Sequence, residues 1–307
     1  MNQNELLAAL WGLLSGAEIP PLDPASGLAS AAPAALAALA EAHGVAPLLF
    51  KRLSELPVQL AAPVVQTLES SYYQSAGRAQ LLKAELARLA GAFDQAGLPW
   101  LPLKGAALAW DIYPDPALRP MNDLDLLVAP RDLLAAVRLA AGLGYRFEKL
   151  SYHALLRGGP AAAIPLELHW TLPGGLPLNI DLANLSKNLR SKFFERFTYQ
   201  YSLEHLLRQH AASPRLIWRY DLLLLAQRLG DSLPPASAGS PAVTFLDNTK
   251  ASLRQLPPGA LLRLSGSLLF PSPAYIQWRY HPQPRWTWPL YYFKRAAEWL
   301  GEIVGRS

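Results

Sequence analysis

The stretch that decides the fold is Arg119-Pro120-Met121-Asn122-Asp123-Leu124-Asp125-Leu126-Leu127-Val128. Side chains alternate along a strand, so Asp123 and Asp125 are predicted to share one face while the leucines beside them enter a core. Two adjacent carboxylates repel each other unless a cation lies between them. The chain has no Cys, and hard oxygen ligands suit Mg²⁺. The alternatives to a metal site are a solvated strand end and a helix cap.

A strand and a glycine turn precede this pair by about 20 residues. Residues 100–103 are predicted to be a strand, and Lys104 and Gly105 to turn it into a helix. Small residues at a helix N-terminus let backbone N–H groups approach a phosphate, and Lys adds a positive charge, although such a pair also occurs in plain turns. Arg119 has a planar fork that suits a phosphate or a carboxylate, so it is expected to contact a phosphate or to clamp Asp123 or Asp125.

A third carboxylate comes from Leu166-Glu167-Leu168-His169-Trp170, whose alternation places Glu167 and His169 on one face of a strand. If this strand lies beside the first, Glu167 joins the two aspartates, and three carboxylates can hold two metal ions about 3.5–4 Å apart. Otherwise Glu167 is an exposed edge residue, and Asp181 is a weaker substitute. A His in this position is more often a hydrogen-bonded structural residue than a ligand.

Together, these residues resemble the family of uncharacterised bacterial nucleotidyltransferases within the DNA polymerase β-like superfamily. The resemblance covers most of residues 80–295, and the Arg-Pro-Met-Asn-Asp-Leu-Asp-Leu-Leu-Val run is its most specific part. Glu204-His205-Leu206-Leu207 and Arg219-Tyr220-Asp221-Leu222 are similar to the family's helical region. One departure concerns the glycine turn, where Ala106 stands in place of the superfamily's Ser or Gly.

The resemblance implies transfer of a nucleoside monophosphate from a nucleoside triphosphate (NTP) to an acceptor, with release of pyrophosphate. It implies two Mg²⁺ ions, or Mn²⁺ in their place. The metal-binding and catalytic residues it implies are Asp123, Asp125 and Glu167, and Gly105 matches the glycine of its phosphate turn. Lys104 and Arg119 are further expected nucleotide-binding residues because of their positive charge. It does not supply the acceptor, which is a protein, a peptide, a small molecule or RNA. The alternative is a catalytically inactive protein of the same fold that acts as a binding or scaffold protein.

Differences in composition and hydrophobic periodicity along the chain predict an α+β fold with three regions. Residues 1–98 are rich in Ala and Leu with helical periodicity, for example at positions 82, 86, 89 and 93. Residues 99–185 alternate predicted strands (100–103, 124–128, 145–150 and 164–170) with helices (105–113 and 131–143), which is typical of a small mixed sheet. Residues 186–307 return to helices. The resemblance makes the middle region a polymerase β-type nucleotidyltransferase core.

Composition excludes a disordered chain, since 51% of the residues are hydrophobic and 17% are charged. Residues 1–185 hold 12 Lys and Arg against 16 Asp and Glu, a net charge of −4. Because the whole chain has a net charge of +5, residues 186–307 have a net charge of +9. A basic half suits an anionic partner such as a nucleotide, or is simply a solvated surface. The sequence shows neither a signal peptide nor a transmembrane segment, so a cytoplasmic protein is expected. The aromatic tail at 286–293 is either a partner contact or core packing.

Overall fold

The computed structural model describes residues 3–16, 33–56, 61–158, 164–232, 243–271 and 273–304. Within these ranges, five strands form one mixed sheet, and helices surround it. The strands are β1 (Trp100–Pro102), β2 (Leu124–Val128), β3 (Arg146–Leu150), β4 (Ala154–Arg157) and β5 (Pro165–His169). The α-helices are α1 (Gln3–Ser15), α2 (Pro33–Ala42), α3 (Ala46–Ser54), α4 (Ala62–Gln95), α5 (Lys104–Leu108), α6 (Leu133–Gly142), α7 (Leu182–Ser186), α8 (Lys192–Gln209), α9 (Leu216–Leu229), α10 (Phe245–Leu253), α11 (Pro258–Leu269), α12 (Pro273–Tyr280) and α13 (Tyr291–Val304).

The sheet has the strand order β1-β2-β5-β4-β3. β2 and β5 run parallel to each other, and the other three pairs are antiparallel. Parallel neighbours need a crossover connection, and here it runs through α6 and the β3–β4 hairpin. The register pairs Asp125 of β2 with Glu167 of β5. The neighbouring strands that the sequence analysis required for a third carboxylate are therefore present.

The two faces of the sheet bury different cores. Leu124, Leu126 and Val128 are fully buried in a hydrophobic cluster with residues of α4, α6 and α11. Leu127 belongs to a second cluster, built from helices of the first 70 residues together with α5, α8 and α9. Because side chains alternate along a strand, Asp125 points to the same side as Leu127. The polar site therefore lies on the sheet face that α5 and α8 cover. The second cluster draws residues from all three of the regions distinguished in the sequence.

Helix α4 shows how periodicity positions this sheet. Leu82, Leu89 and Phe93 are fully buried at the helical spacing seen in the sequence, and Leu86 packs against them partly buried. Pro63 lies in the first turn of α4, where its missing N–H removes no helical hydrogen bond. Within the described ranges, none of the helices combines the length and the apolar character needed to cross a membrane. In the aromatic tail, Leu290 and Phe293 are exposed.

Three local predictions were wrong. The helix expected at 105–113 ends after five residues at Leu108, and β4 was missed altogether. Asp123 lies in the bend before β2, one residue outside the strand in which it was placed. β4 is only four residues long and carries just two fully buried side chains, so it lacks the long apolar run that marks a strand in a sequence.

Candidate active site

The turn after β1 carries the first functional side chain. Lys104 has a φ of +49°, a left-handed conformation that costs a residue with a side chain about 1 kcal/mol or more. Its Nζ lies 2.6 Å from Asp125 Oδ1 and 3.9 Å from Glu167 Oε2. Burial favours loss of the proton, but the charges of the two carboxylates raise the pKa of Lys104 above its usual value, so the ammonium persists. The strained backbone therefore places a positive charge between two carboxylates.

Three carboxylates meet on this face of the sheet, and we call Asp123, Asp125 and Glu167 the carboxylate cluster. Burial and the charges of Asp125 and Glu167 raise the pKa of Asp123 to about 6. In the described part of the chain, Asp123 forms no hydrogen bond and no ion pair. Its negative charge thus lies beside two like charges without a direct partner. Asp181, the weaker substitute, is instead exposed and caps α7 through the N–H of Asn184.

His169 belongs to the same group of side chains. Its Nε2 lies 2.8 Å from Asp125 Oδ1 and 3.5 Å from Glu167 Oε2. Burial would lower the pKa of His169, but hydrogen bonds to the two carboxylates raise it. In turn, Lys104 and His169 hold the pKa of Asp125 well below its usual range, although burial alone would raise it. Hydrogen bonding to Asp125 agrees with the structural interpretation of His169, yet the ring also borders Glu167.

His153 was missed by the sequence analysis. It precedes β4, and its Nδ1 lies 3.6 Å from Glu167 Oε2. This nitrogen is buried and has no hydrogen-bond partner among the described residues. Burial lowers the pKa of His153 to about 4, so the ring is neutral at pH 7. The sequence signal that could have found His153 is the hairpin between β3 and β4, because only Ser151, Tyr152 and His153 separate the two strands.

Arg119 clamps Asp221 rather than Asp123 or Asp125, and its contact with a phosphate stays a prediction. Its Nε and Nη2 donate to the two carboxylate oxygens of Asp221 at 2.8 and 2.9 Å, and its Nη1 donates to the Pro120 carbonyl. Tyr113 donates its hydroxyl to Asp221 at 2.6 Å. We call Tyr113, Arg119 and Asp221 the arginine clamp. All three side chains are buried, so Arg119 fixes helix α9 to the segment that leads into Asp123.

Gly105 is explained by packing. A Cβ at this position would lie 2.6 Å from both Cγ and Sδ of Met121, closer than side chains tolerate. Gly105 is buried in the first turn of the five-residue helix α5. The absence of a side chain therefore lets the turn after β1 lie against the segment before β2. Its contact with a phosphate stays a prediction.

A cavity of about 500 Å³ adjoins the carboxylate cluster. Tyr201 connects the two, because its ring lines the cavity while the charges of Asp125 and Glu167, together with burial, raise its pKa. The other lining residues are mostly apolar and come from α8 and from the chain after β5: Leu172, Pro173, Leu176, Ile180, Phe193, Arg196, Phe197, Gln200 and Glu204. The cavity has the size and the lining of a site for an organic molecule.

The donor set fits a divalent cation. Asp123, Asp125 and Glu167 offer carboxylate oxygens of the kind that Mg²⁺ prefers. The raised pKa of Asp123 reflects a like-charge repulsion that a bound cation would relieve. Lys104 supplies one positive charge and contacts Asp125 much more closely than Glu167. A cation would compete with the Lys104 ion pair at Asp125. At Asp123 it would displace no direct ion pair within the described ranges, although the charges of Lys104 and Arg119 act on this carboxylate from a distance.

Comparison with known proteins gives one match. A family model described as an uncharacterised nucleotidyltransferase matches residues 29–234, about two thirds of the chain. The matched range contains the carboxylate cluster, Lys104 and the arginine clamp. Neither a curated protein nor a solved structure matches the chain.

Proposed function

Since the chain belongs to this uncharacterised nucleotidyltransferase family, we propose that it is a divalent-metal-dependent enzyme that transfers a nucleoside monophosphate from an NTP. A hydroxyl or amine of the acceptor forms a bond to the α-phosphorus, the bond between this phosphorus and the bridging oxygen breaks, and pyrophosphate leaves. The observation that carries the proposal is the convergence of Asp123, Asp125 and Glu167 on one face of the sheet.

The carboxylate cluster is proposed to hold Mg²⁺, or Mn²⁺ in its place. When bound, such an ion supplies positive charge to the phosphoryl group and lowers the pKa of the attacking group. Asp123 suits this role because it has no other partner among the described residues, and Asp125 and Glu167 are fixed by adjacent strands. Fixed ligands matter because phosphoryl transfer depends on positioning and electrostatic stabilisation more than on covalent chemistry.

Lys104 is proposed to contact the triphosphate. Its ammonium already lies within the cluster, so a small displacement would bring its charge to a phosphate oxygen of a nucleotide whose metal ion these carboxylates hold. Arg119 is proposed to act as a positioning residue, because its nitrogens are engaged by Asp221 and by the Pro120 carbonyl. Through this contact it holds the segment from 119 to 123 and thereby fixes where Asp123 lies.

The cavity beside Tyr201 is proposed to hold the organic part of a substrate, either the base of the NTP or the acceptor. Phe193, Phe197 and Tyr201 contribute aromatic rings to its lining, and an aromatic ring stacks readily on any nucleobase. Arg196, Gln200 and Glu204 add a few polar groups that fix an orientation. Because stacking tolerates every base, this lining favours no particular nucleotide.

A labelling experiment tests the proposal. The purified chain is incubated with each of the four α-labelled NTPs, with Mg²⁺ or Mn²⁺, and with a cell extract that supplies acceptors. We expect a labelled product with the natural chain and a loss of about 100-fold or more in Asp123→Asn and Asp125→Asn, the order of magnitude lost with one charge-stabilising group. Asp231→Asn, at an exposed position, is the matched control. No labelled product with any NTP and either metal, or unchanged rates in both site variants, overturns the proposal.

The Lys104–Asp125 ion pair favours a second candidate, a protein of the same fold that binds partners without catalysis. An ammonium 2.6 Å from Asp125 neutralises one of the carboxylates that a metal would need. Thermal unfolding separates the two functions, because only a site that binds metal and nucleotide together stabilises the chain when both are added. A rise in Tm with NTP and Mg²⁺ that is absent with either alone favours the enzyme, and no rise favours the binding protein.

A further inference from the structure

We propose that His153, Glu167 and His169 form a second metal site, selective for a transition-metal ion such as Zn²⁺ over Mg²⁺. The three side chains each offer one ligand atom, and these atoms lie within 4.8 Å of one another. The site shares Glu167 with the carboxylate cluster but differs in chemistry, since two of its three ligands are imidazoles. It does not require that the chain transfers nucleotides.

The distances at Glu167 have the spacing of ligands around one ion. Glu167 Oε2 lies 3.6 Å from His153 Nδ1 and 3.5 Å from His169 Nε2. Bonds of about 2.0–2.1 Å from a tetrahedral zinc ion place neighbouring ligand atoms roughly 3.4 Å apart. Both separations are longer than the usual hydrogen-bond length, so the hydrogen bond between His169 and Glu167 is a weak one, and both pairs are close enough to share an ion.

The unpartnered nitrogen of His153 is the second, independent observation. His153 exposes only 9% of its surface, and its Nδ1 is buried without a hydrogen-bond partner among the described residues. A buried polar atom without a partner costs about 1–3 kcal/mol, so such an atom calls for an explanation. Because Nδ1 faces Glu167 Oε2, an ion bound between them gives this nitrogen its missing partner.

Two existing contacts compete with an ion at this site. A metal ligand must present a lone pair, so His169 Nε2 has to release its 2.8 Å hydrogen bond with Asp125 Oδ1 when it binds the ion. The ammonium of Lys104 also competes with an ion for Glu167, but it lies 3.9 Å from Glu167 Oε2 and forms its close ion pair, at 2.6 Å, with Asp125.

Imidazole nitrogen sets the preference for the ion. Two histidines and one carboxylate are a ligand set typical of zinc and other first-row transition metals, whereas Mg²⁺ takes oxygen ligands and keeps several waters. The set supplies three protein ligands, which leaves a coordination position open to water or substrate. The carboxylate cluster and the histidine site are therefore expected to bind different ions, with Glu167 between them.

Cobalt titration of the metal-free full chain tests the site, since Co²⁺ replaces Zn²⁺ and absorbs visible light. With excess Mg²⁺ present to occupy the carboxylate cluster, we expect one Co²⁺ per chain, which Zn²⁺ displaces. His153→Ala should weaken binding by more than about 10-fold, since even outer partners of a metal ligand contribute that much. His281→Asn, at an exposed histidine, should bind cobalt as the natural chain does. Circular dichroism verifies that each variant is folded.

His153→Cys makes the test specific, because the natural chain has no Cys. A thiolate at this position should retain the metal and add a thiolate-to-cobalt charge-transfer band that no other residue can produce. Absence of the band, or equal cobalt affinity in the natural chain and His153→Ala, overturns the site. The titration contains no nucleotide, so its outcome is separate from that of the labelling experiment. Labelled product without cobalt binding leaves the proposed function intact, and cobalt binding without labelled product leaves the metal site intact.

Discussion

The arginine clamp is buried and the carboxylate cluster is partly buried, and the two charged groups differ in how many of their polar atoms have hydrogen-bond partners. In the clamp, Asp221 accepts from both Arg119 and Tyr113, so every carboxylate oxygen has a donor. In the cluster, Asp123 forms no hydrogen bond or ion pair among the described residues, and the neighbouring His153 keeps an unpartnered nitrogen. A polar group that the chain does not satisfy internally is free to bind something else. The contrast separates groups that hold the fold from groups that are available for chemistry.

Breaking the clamp should give the largest change in stability. Asp221→Ala leaves the guanidinium of Arg119 buried without its counter-charge, and loss of one partner of a buried ion pair costs about 3–5 kcal/mol. Chemical denaturation measures the free energy of unfolding. Asp231→Ala, at an exposed position, should change it by less than about 0.5 kcal/mol. A loss below 1 kcal/mol in Asp221→Ala would mean that the clamp does not hold α9 in place.

Gly105→Ala tests whether the glycine turn serves packing. A new Cβ would lie 2.6 Å from Met121 Cγ and Sδ, and overpacking of this kind costs about 1–3 kcal/mol. In a Met121→Ala background the same substitution should cost less than about 1 kcal/mol, because the obstructing side chain is gone. Chemical denaturation of the four chains completes the cycle. If the cost of Gly105→Ala is equal in both backgrounds, Met121 is not the reason for the glycine.

A third polar group, Glu85 with Arg88 and Tyr145, is satisfied like the clamp. Both oxygens of Glu85 accept from Arg88, at 2.6 and 3.0 Å, and Oε1 also accepts from the Tyr145 hydroxyl at 2.6 Å. Burial would raise the pKa of Glu85, but these hydrogen bonds lower it below its usual value of 4.5. We expect Glu85→Gln to cost about 1–2 kcal/mol at pH 7.

The sign of the pH dependence at Glu85 follows from linkage. A carboxyl whose pKa is lowered by folding stabilises the protein above its unfolded pKa, and this contribution disappears as pH falls through the folded value. The stability difference between the natural chain and Glu85→Gln should therefore be constant from pH 6 to pH 8 and narrow below about pH 4. Urea denaturation at several pH values measures it. A difference that grows on acidification contradicts the lowered pKa.

Those parts of the candidate site that depend on local sequence patterns could be predicted from the sequence alone. Alternation in β2 and β5 identified Asp125 and Glu167 and the apolar residues behind them, because a strand fixes which face each side chain occupies. A helix likewise fixes which residues share a face, and the helical periodicity predicted at positions 82, 86, 89 and 93 was confirmed in α4. The family assignment and the mixed α and β composition were confirmed as well.

Contacts between distant parts of the chain could not be predicted. Arg119 and Asp221 are 102 positions apart, so nothing near Arg119 in the sequence indicates its partner. The position of the Lys104 ammonium depends on a positive φ, which the residue type disfavours and therefore does not signal. His153 enters the site only because the short strand β4 pairs with β5.

The smallest expected effect on stability is that of Asp123→Asn, and its sign distinguishes the cluster from the other two groups. In Glu85 the change from acid to amide removes favourable contacts, whereas at Asp123 it removes a charge that burial and two like charges disfavour, as the raised pKa of about 6 indicates. The metal-free variant should therefore be as stable as the natural chain, or more stable by up to about 1 kcal/mol at pH 8. Paired denaturation curves of Asp123→Asn and Glu85→Gln in chelator give the comparison directly.

If Asp123→Asn instead loses more than 1 kcal/mol of stability, the carboxylate supports the fold, and the distinction between satisfied and available groups does not apply to it. If stability is kept while nucleotidyl transfer is lost, Asp123 is a residue retained for chemistry at no benefit to the fold.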